Sequence, residues 1–285
     1  MRRTWEEAAV KWLEETSHKR DHIRDQSKVR WIALYWKNKW LDEIDRETVA
    51  RLADLKAKTV KPATVNRLLA LIRAILRRAA NQWDWIDKAP HIRFFYEPSR
   101  RIRWLRPEQA KRLFDALPEH QRYTMIFALS TGLRASNVLG LTWDQIDFKR
   151  RVCWFYSDQT KNGEDLSVSL NDNAMAVLYA RRFMHPVYVF TYRGKPIKRL
   201  TTKAWYKALN KAGIKDFRWH DLRHTWASWL VQEGVPLYAL QEMGGWKTAS
   251  MVRRYAHLSP AHNLKYAQVL DGTISSFFDP VLDKV

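Results

Sequence analysis

Residues 220–224 of this chain read His-Asp-Leu-Arg-His, and the segments Gly245-Trp246 and Arg253-Arg254-Tyr255 follow soon after. Together they supply an imidazole, guanidinium groups, an indole N–H and a phenol hydroxyl. A hydroxyl can attack phosphorus, and fixed cations stabilise the charge that develops on phosphate oxygens. With Arg134 and Lys161 upstream, the pattern indicates a site that acts on a phosphodiester.

The net charge predicts the kind of partner. The 285 residues contain 50 Lys and Arg against 30 Asp and Glu, which gives a formal charge of +20 and a sequence pI of about 10.1. A surplus of this size is typical of proteins that bind nucleic acid. The basic residues are interspersed with apolar ones and form no tail, which favours a folded binding surface. On composition alone, the alternative to nucleic-acid binding is a basic soluble protein whose charge serves only solubility.

Composition also restricts size and compartment. With 46% hydrophobic residues, the chain can bury a sizeable core and is long enough for two domains. Cys153 is the only cysteine, which excludes an internal disulfide and a cysteine-rich zinc site and is typical of a reducing compartment. The amino-terminal residues lack the apolar core of a signal peptide, and no stretch suits a membrane span. We therefore expect a cytoplasmic protein without membrane contact.

The first part of the chain has helical periodicity only. Thr4 and Glu7 form the capping-box pattern, and apolar residues then recur at helical spacing. Further helices are predicted over three segments: 29–40, 46–56 and from Pro62 onward. Residues 1–90 are therefore predicted to form a four-helix domain.

Periodicity fails over residues 91–103, where arginines occur with little acid to balance them. We predict a basic linker there and a second domain over 104–285. This domain mixes element types. Helices are predicted over 107–117, 122–130, from Ala135, 200–212 and 220–232, and strands over 152–156, 166–170 and 187–191. The first strand is inferred from alternating Val152, Trp154 and Tyr156, and Lys161 is predicted to lie on the hairpin that follows.

Cleavage of a phosphodiester without a metal needs a nucleophile, cations on the non-bridging oxygens and an acid for the leaving oxygen. The acidic residues are scattered, so we predict no metal and no other cofactor. His220 and His224 are four residues apart, as in a zinc pair, but Asp221 stands where the metalloprotease motif has glutamate. The competing interpretation is that His220 and Arg223 point together at an anionic group.

The ordered motifs resemble those of the tyrosine site-specific recombinases, the phage integrase family. The resemblance rests on Thr131-Gly132-Leu133-Arg134, Leu139-Gly140-Leu141-Thr142-Trp143, Thr160-Lys161, His220-x-x-Arg223, Gly245-Trp246 and Tyr255. It implies an all-α core-binding domain, a SAM-like four-helix bundle, followed by a mixed α+β catalytic domain. The implied activity is site-specific recombination or integration of DNA.

The resemblance also implies a role for each site residue. Tyr255 would attack the scissile phosphate and form a 3′-phosphotyrosyl bond. Arg134 and Arg223 would bind the non-bridging oxygens, a task suited to planar and permanently charged groups. Lys161 would protonate the departing 5′ oxygen. His220 would take the proton from the phenol, whose ordinary pKa is about 10.

Two positions depart from the usual family pattern. Trp246 stands nine residues before Tyr255, where the family usually has histidine and sometimes tryptophan. Its indole N–H can donate to a phosphate oxygen but cannot shuttle a proton, and a packing role is the alternative. Asn137 stands three residues after Arg134, where many relatives carry an acid. We expect it to support the site through hydrogen bonds.

The implied partners are double-stranded DNA recombination sites and other copies of the chain in a homo-tetramer on DNA. Accessory proteins that set direction are a further partner class. A helix predicted over 259–270 would dock onto a neighbouring subunit, or alternatively onto its own domain. Asn66, Arg67 and Arg73 are candidates for major-groove contacts, against the alternative of a solvated helix face. Because the sequence begins with the core-binding helices, we expect no arm-binding domain before them.

Two other functions fit the same motifs. A type IB topoisomerase uses the same chemistry on a single duplex, and a DNA-binding regulator could keep the fold without cutting. A paired-site recombination assay separates the first from a recombinase. A trapped covalent protein–DNA product excludes the second.

Overall fold

The computed structural model describes residues 2–98, 102–160, 163–258, 264 and 267–271. It divides into two compact units, Met1–Arg100 and Arg101–Val285, and each contains a hydrophobic core. Lys161 and most of the helix expected over 259–270 lie outside the described residues. In the part that is described, no helix is both long enough and apolar enough to cross a membrane.

The described part of the N-terminal unit contains four α-helices: α1 (Trp5–Glu15), α2 (His22–Trp36), α3 (Arg46–Ala57) and α4 (Pro62–Asn81). The expected capping box begins α1, because Glu7 N donates to Thr4 Oγ1 at 3.3 Å and Thr4 N donates to the Glu7 carboxylate at 2.7 Å. Helix α2 ends before Trp40, the last residue of its predicted pattern. Trp40 instead forms an isolated β-bridge with Thr4.

Tryptophan and aliphatic side chains fill the core of this unit. Trp5 is fully buried and meets Trp36 edge-on, with ring centroids 4.9 Å apart. The apolar stripe of α4 is buried as well: Val65, Leu68, Leu69, Leu71, Ile72, Ile75, Leu76 and Ala79. Burying one large aliphatic side chain is worth about 1.5–3 kcal/mol, so this stripe is a major source of stability.

Asn66 belongs to the packing of this unit and not to its outer face. Its Nδ2 donates to Phe95 O at 2.8 Å and to Glu97 Oε1 at 2.6 Å, and its Oδ1 accepts from Phe95 N at 2.8 Å. Only 8% of Asn66 is exposed. The assignment of Asn66 to DNA contacts is therefore wrong, because its polar atoms are already engaged inside the protein. Arg67 is exposed, and Arg73 is partly exposed.

The described part of the C-terminal unit is rich in helices. They are α5 (Pro107–Ala116), α6 (Glu119–Thr131), α7 (Ala135–Gly140), α8 (Asp172–Arg181), α9 (Lys203–Lys211), α10 (Asp221–Gln232), α11 (Leu237–Gly244) and α12 (Ser250–Arg253). An antiparallel sheet has the order β1 (Ile146–Asp147), β2 (Val152–Phe155) and β3 (Leu166–Ser169). A separate antiparallel pair consists of β4 (Thr191–Tyr192) and β5 (Lys195–Pro196).

The strands depart from the sequence prediction in detail. In β2 the buried side chains are Cys153 and Phe155, whereas Trp154 is 44% exposed. Alternation thus located the strand but not the face that packs on the core. Most of the strand expected over 187–191 is irregular, with one bridge between Thr142 and Tyr188. Helix α8 was not predicted, although its N-cap residue is an asparagine.

Gly132 ends α6 and directs the chain toward α7. Its φ of 64° is in the left-handed region, and its N–H donates to Ala128 O at 2.9 Å. A β-carbon at this position would lie 2.3 Å from the ring of Trp226 on α10. Both the backbone angle and the available space therefore require glycine.

We expect Gly132→Ala to lower the free energy of unfolding by about 2–4 kcal/mol, since a left-handed alanine and a crowded ring each add a cost. Urea denaturation of the purified protein measures the change. Gly140→Ala is the matched control, because no atom lies within 4 Å of the added carbon. Its effect should stay below about 1 kcal/mol. Equal destabilisation by the two substitutions would contradict this account.

Candidate active site

One face of α10 brings three basic side chains together. His220 precedes the helix as its N-cap residue, and Arg223 and His224 follow it by three and four positions. This spacing places all three on one side of a helix. The His220 and His224 rings meet edge to face, with centroids 5.2 Å apart. His220 is exposed, His224 is partly buried and Arg223 is buried, so the face runs from solvent into the protein.

The Arg223 guanidinium is fixed by two backbone carbonyls. Its Nη1 donates to Gly132 O at 2.7 Å, and its Nη2 donates to Gly244 O at 2.5 Å. Burial and the nearby charge of Arg134 lower the pKa of Arg223 to about 9. The group therefore remains a cation at neutral pH. Because both carbonyls are neutral, they hold the guanidinium without cancelling its charge.

Arg134 brings a second guanidinium to the same place. It is the N-cap residue of α7 and is partly buried. Burial lowers the pKa of Arg134, and its charge is one cause of the lowered pKa of Arg223. The two cations are therefore close enough to repel each other. An anion that entered the site would relieve this repulsion.

Tyr255 follows α12 and is only 1% exposed. Its ring packs in an apolar cluster with Trp226, and its hydroxyl lies 2.6 Å from His224 Nδ1. Burial raises the pKa of Tyr255 to about 12, although the charges of Arg223 and Arg254 act in the opposite direction. The phenol is therefore protonated at neutral pH, and a base must remove its proton before it can act as a strong nucleophile.

His224 is the site residue that sequence interpretation missed. Its pKa is lowered to about 4 by burial and by the charges of His220, Arg254 and Arg223, so the imidazole is neutral at neutral pH. The sequence pattern presented it only as a zinc ligand. In the described ranges, no group of three His, Cys, Asp or Glu side chains could hold a metal ion. Its contact with Tyr255 joins residues 31 positions apart, which no local pattern reveals.

Trp246 packs against the cation and the phenol. The Arg223 guanidinium carbon lies 4.0 Å from the centre of its ring, and the Tyr255 ring centroid is 6.0 Å away. Trp226 stacks on it at 6.0 Å. A β-carbon at Gly244 would lie 2.0 Å from this indole, so only glycine fits there. The ring thus helps to hold Arg223, and donation to a phosphate stays a prediction.

Lys161 lies outside the described residues, but the turn that leads to it is well anchored. Thr160 is 3% exposed, and its hydroxyl donates to a backbone carbonyl of the same turn at 2.7 Å. Asn137 Nδ2 donates to Gln159 O at 3.4 Å, and Gln145 Nε2 donates to Gln159 Oε1 at 2.7 Å. Neutral amides therefore link the α7 region to this turn. Sequence interpretation singled out Asn137 but not Gln145.

The chain resembles known proteins over most of its length. Residues 103–262 match the model of the phage integrase family. The integrase of Salmonella phage P22 is 40% identical, over 94% of this chain and 80% of the relative. The chain belongs to the phage integrase family. A shufflon-specific DNA recombinase of Escherichia coli is 28% identical, over 88% of this integrase-family chain and 68% of the relative.

Solved integrase structures share the fold at low sequence identity. A lambda integrase dimer bound to a COC′ core site has a TM-score of 0.73 at 18% identity, covering 90% of this chain and 77% of that chain. The Tn1549 transposon integrase in complex with transposon right end DNA has a TM-score of 0.76 at 19% identity, covering 94% of this chain and 99% of that chain. The integrase fold of this protein, helix-rich with a small sheet, is thereby confirmed.

Family membership confirms the recombinase interpretation of the sequence. In this integrase-family protein, the described residues bring together five side chains that the motifs singled out: Arg134, His220, Arg223, Trp246 and Tyr255. The chemical role of each remains a prediction.

The lowered pKa of His224 predicts a pH dependence of stability. The folded-state pKa of about 4 lies below the ordinary value of 6.5, so between these values the unfolded chain binds more protons at this residue. The free energy of unfolding should therefore fall as the pH falls from 7 to 4. His224→Asn removes this contribution, whereas the other titrating groups are common to both proteins. Urea denaturation at pH 7 and 4.5 should show a smaller pH-induced loss in the variant, and an equal loss would contradict the prediction.

Proposed function

We propose that the protein is a site-specific DNA recombinase that cleaves and rejoins duplex DNA through a bond between Tyr255 and a 3′ phosphate. The observation that carries this proposal is the meeting of a buried phenol with Arg223, which itself lies close to Arg134. A nucleophile and two charge-stabilising groups from distant parts of the chain thus form one site. The 40% identity to a phage integrase supports the proposal.

In the proposed reaction, Tyr255 Oη forms a bond to phosphorus while the bond between phosphorus and the 5′ oxygen breaks. Arg134 and Arg223 stabilise the charge on the non-bridging oxygens. The phosphotyrosyl bond retains the energy of the broken diester. The 5′ hydroxyl of a partner strand can therefore attack it, release Tyr255 and complete the exchange.

Proton transfer in this reaction needs groups on both sides of the phosphorus. We assign protonation of the departing 5′ oxygen to Lys161 on the loop between β2 and β3. Asn137 and Gln145 support the turn before this lysine. On the nucleophile side, an imidazole on the α10 face receives the phenolic proton. The family resemblance gives this role to His220, whose ring meets that of His224.

We further propose a function for each domain of the chain. Residues 1–90 form the core DNA-binding domain, which is a SAM-like four-helix bundle. Residues 91–103 form a basic linker. Residues 104–285 form the catalytic domain, which ends in a C-terminal subunit-docking tail. The charge of +20 supports binding to duplex DNA, with an affinity that falls steeply as salt rises.

The proposed active assembly is a homo-tetramer on two recombination sites. Lambda integrase is known as a dimer on a core site and as a tetramer on a Holliday junction, which supports this assembly by analogy. Accessory proteins that set the direction of recombination are the remaining proposed partners. Footprinting of DNA that flanks the gene would locate the bound sites.

The proposal predicts that Tyr255→Phe abolishes covalent attachment to DNA and leaves site binding within about twofold, because only a hydroxyl is removed. The assay uses a nicked suicide substrate built on the footprinted site, from which cleavage cannot be reversed. Covalent product is resolved by denaturing electrophoresis, and binding is measured by mobility shift.

A chelator is present throughout this assay, since none of the proposed steps uses a metal ion. Tyr238→Phe is the matched control, because this tyrosine is 76% exposed and should be dispensable for attachment. Covalent product from Tyr255→Phe, or none from the wild type, would refute the proposal.

A second prediction concerns the indole of Trp246. Trp246→Phe keeps an aromatic ring over Arg223 but removes the N–H donor. A hydrogen bond to a charged group is worth about 1.5–3 kcal/mol, so cleavage should slow by about tenfold or more if the indole contacts the phosphate. The rate of covalent product formation measures the change. A phenylalanine variant as fast as the wild type would show that packing alone is required.

A further inference from the structure

The imidazole that is hydrogen-bonded to the nucleophile is His224. Its Nδ1 lies 2.6 Å from the Tyr255 hydroxyl, inside the range of about 2.6–3.2 Å that a general base needs. The two ring centroids are 5.9 Å apart, so the contact joins the polar edge of the imidazole to the end of the phenol. His220 precedes the helix on its solvent side and meets the edge of the His224 ring.

The protonation state of His224 suits a proton acceptor. Burial and three nearby positive or titratable groups, His220, Arg254 and Arg223, lower its pKa, so the ring is neutral before reaction. In the tautomer that carries its proton on Nε2, Nδ1 presents a lone pair to the phenol. A phosphate that entered beside the arginines would add negative charge and raise the affinity of this nitrogen for a proton.

We propose that His224, and not His220, is the catalytic residue that takes the proton of Tyr255. The inference rests on the proposed function and names the base of that reaction. As the bond between Tyr255 Oη and phosphorus forms, the phenolic proton moves to His224 Nδ1. The bond to the 5′ oxygen breaks, and this oxygen receives a proton from Lys161. In the reverse step His224 returns its proton to the phenol.

This assignment gives His220 a different task. Its position at the N-terminus of α10 and its exposed side chain place it where an incoming phosphate would arrive. From there it donates to a phosphate oxygen and lies against the His224 ring. Both residues are required for cleavage, but only the loss of His224 removes the acceptor of the phenolic proton.

The experiment replaces Tyr255 by a fluorinated tyrosine whose phenol ionises near neutral pH and so depends less on a base. The rate of covalent attachment to the suicide substrate is measured for the wild type, His224→Asn and His220→Gln, each with either nucleophile. Asparagine retains an amide near the position of Nδ1 but cannot accept a proton. Mobility shift checks that each variant still binds the site.

With tyrosine as nucleophile, we expect His224→Asn to slow attachment by about 10²–10⁴-fold, the usual contribution of a general base. With the fluorinated nucleophile, this loss should shrink by about tenfold or more. The loss caused by His220→Gln should be the same with both nucleophiles. A merely structural defect at residue 224 would not respond to the acidity of the phenol.

Three results would overturn the proposal. The loss in His224→Asn could be equal for both nucleophiles, the rescue could occur in His220→Gln instead, or His224→Asn could attach at least as fast as the wild type. The last result would mean that His224 only restrains Tyr255. If thermal unfolding shows that His224→Asn does not fold, His224→Ala takes its place under the same criteria. Absence of covalent product from the wild type would instead refute the proposed function itself.

Discussion

The site depends on one constraint, the need to hydrogen-bond a guanidinium that is almost completely removed from water. Arg223 meets this need through Gly132 O and Gly244 O, while the indole of Trp246 covers its face. A buried charge without such partners would cost several kcal/mol. Both carbonyls belong to glycines at which a β-carbon would collide with a tryptophan ring. The same packing thus fixes the ends of α6 and α11 and the cation between them.

The site combines two positively charged side chains with two side chains that burial keeps neutral. Two guanidiniums lie close together, whereas the phenol and the imidazole beside them are both held in their neutral forms by burial. The free protein therefore presents positive charge and an unionised nucleophile. A phosphate changes both conditions, because its charge compensates the arginines and favours a proton on the imidazole. In the proposed mechanism, the arrival of a DNA phosphate therefore favours transfer of the phenolic proton.

Neutral side-chain amides support the turn between two strands of the small sheet. Strands β2 and β3 carry the loop with Lys161, and the turn before it is held by the amides of Asn137 and Gln145. An amide can donate to the carbonyl of Gln159, which a carboxylate cannot do. Asn137 therefore contributes a hydrogen bond that supports this turn.

The sequence alone determined the order of the motifs, the family and the starts of helices such as α1 and α4, because caps, proline and apolar periodicity act between residues that are close in the chain. It also supplied the five motif residues that meet in the site. Only the tertiary structure decided that His224 contacts Tyr255, that Asn66 is buried and that β2 turns Cys153 to the core. These features depend on contacts between distant segments, and a local pattern shows which residues share a face but not what that face will meet.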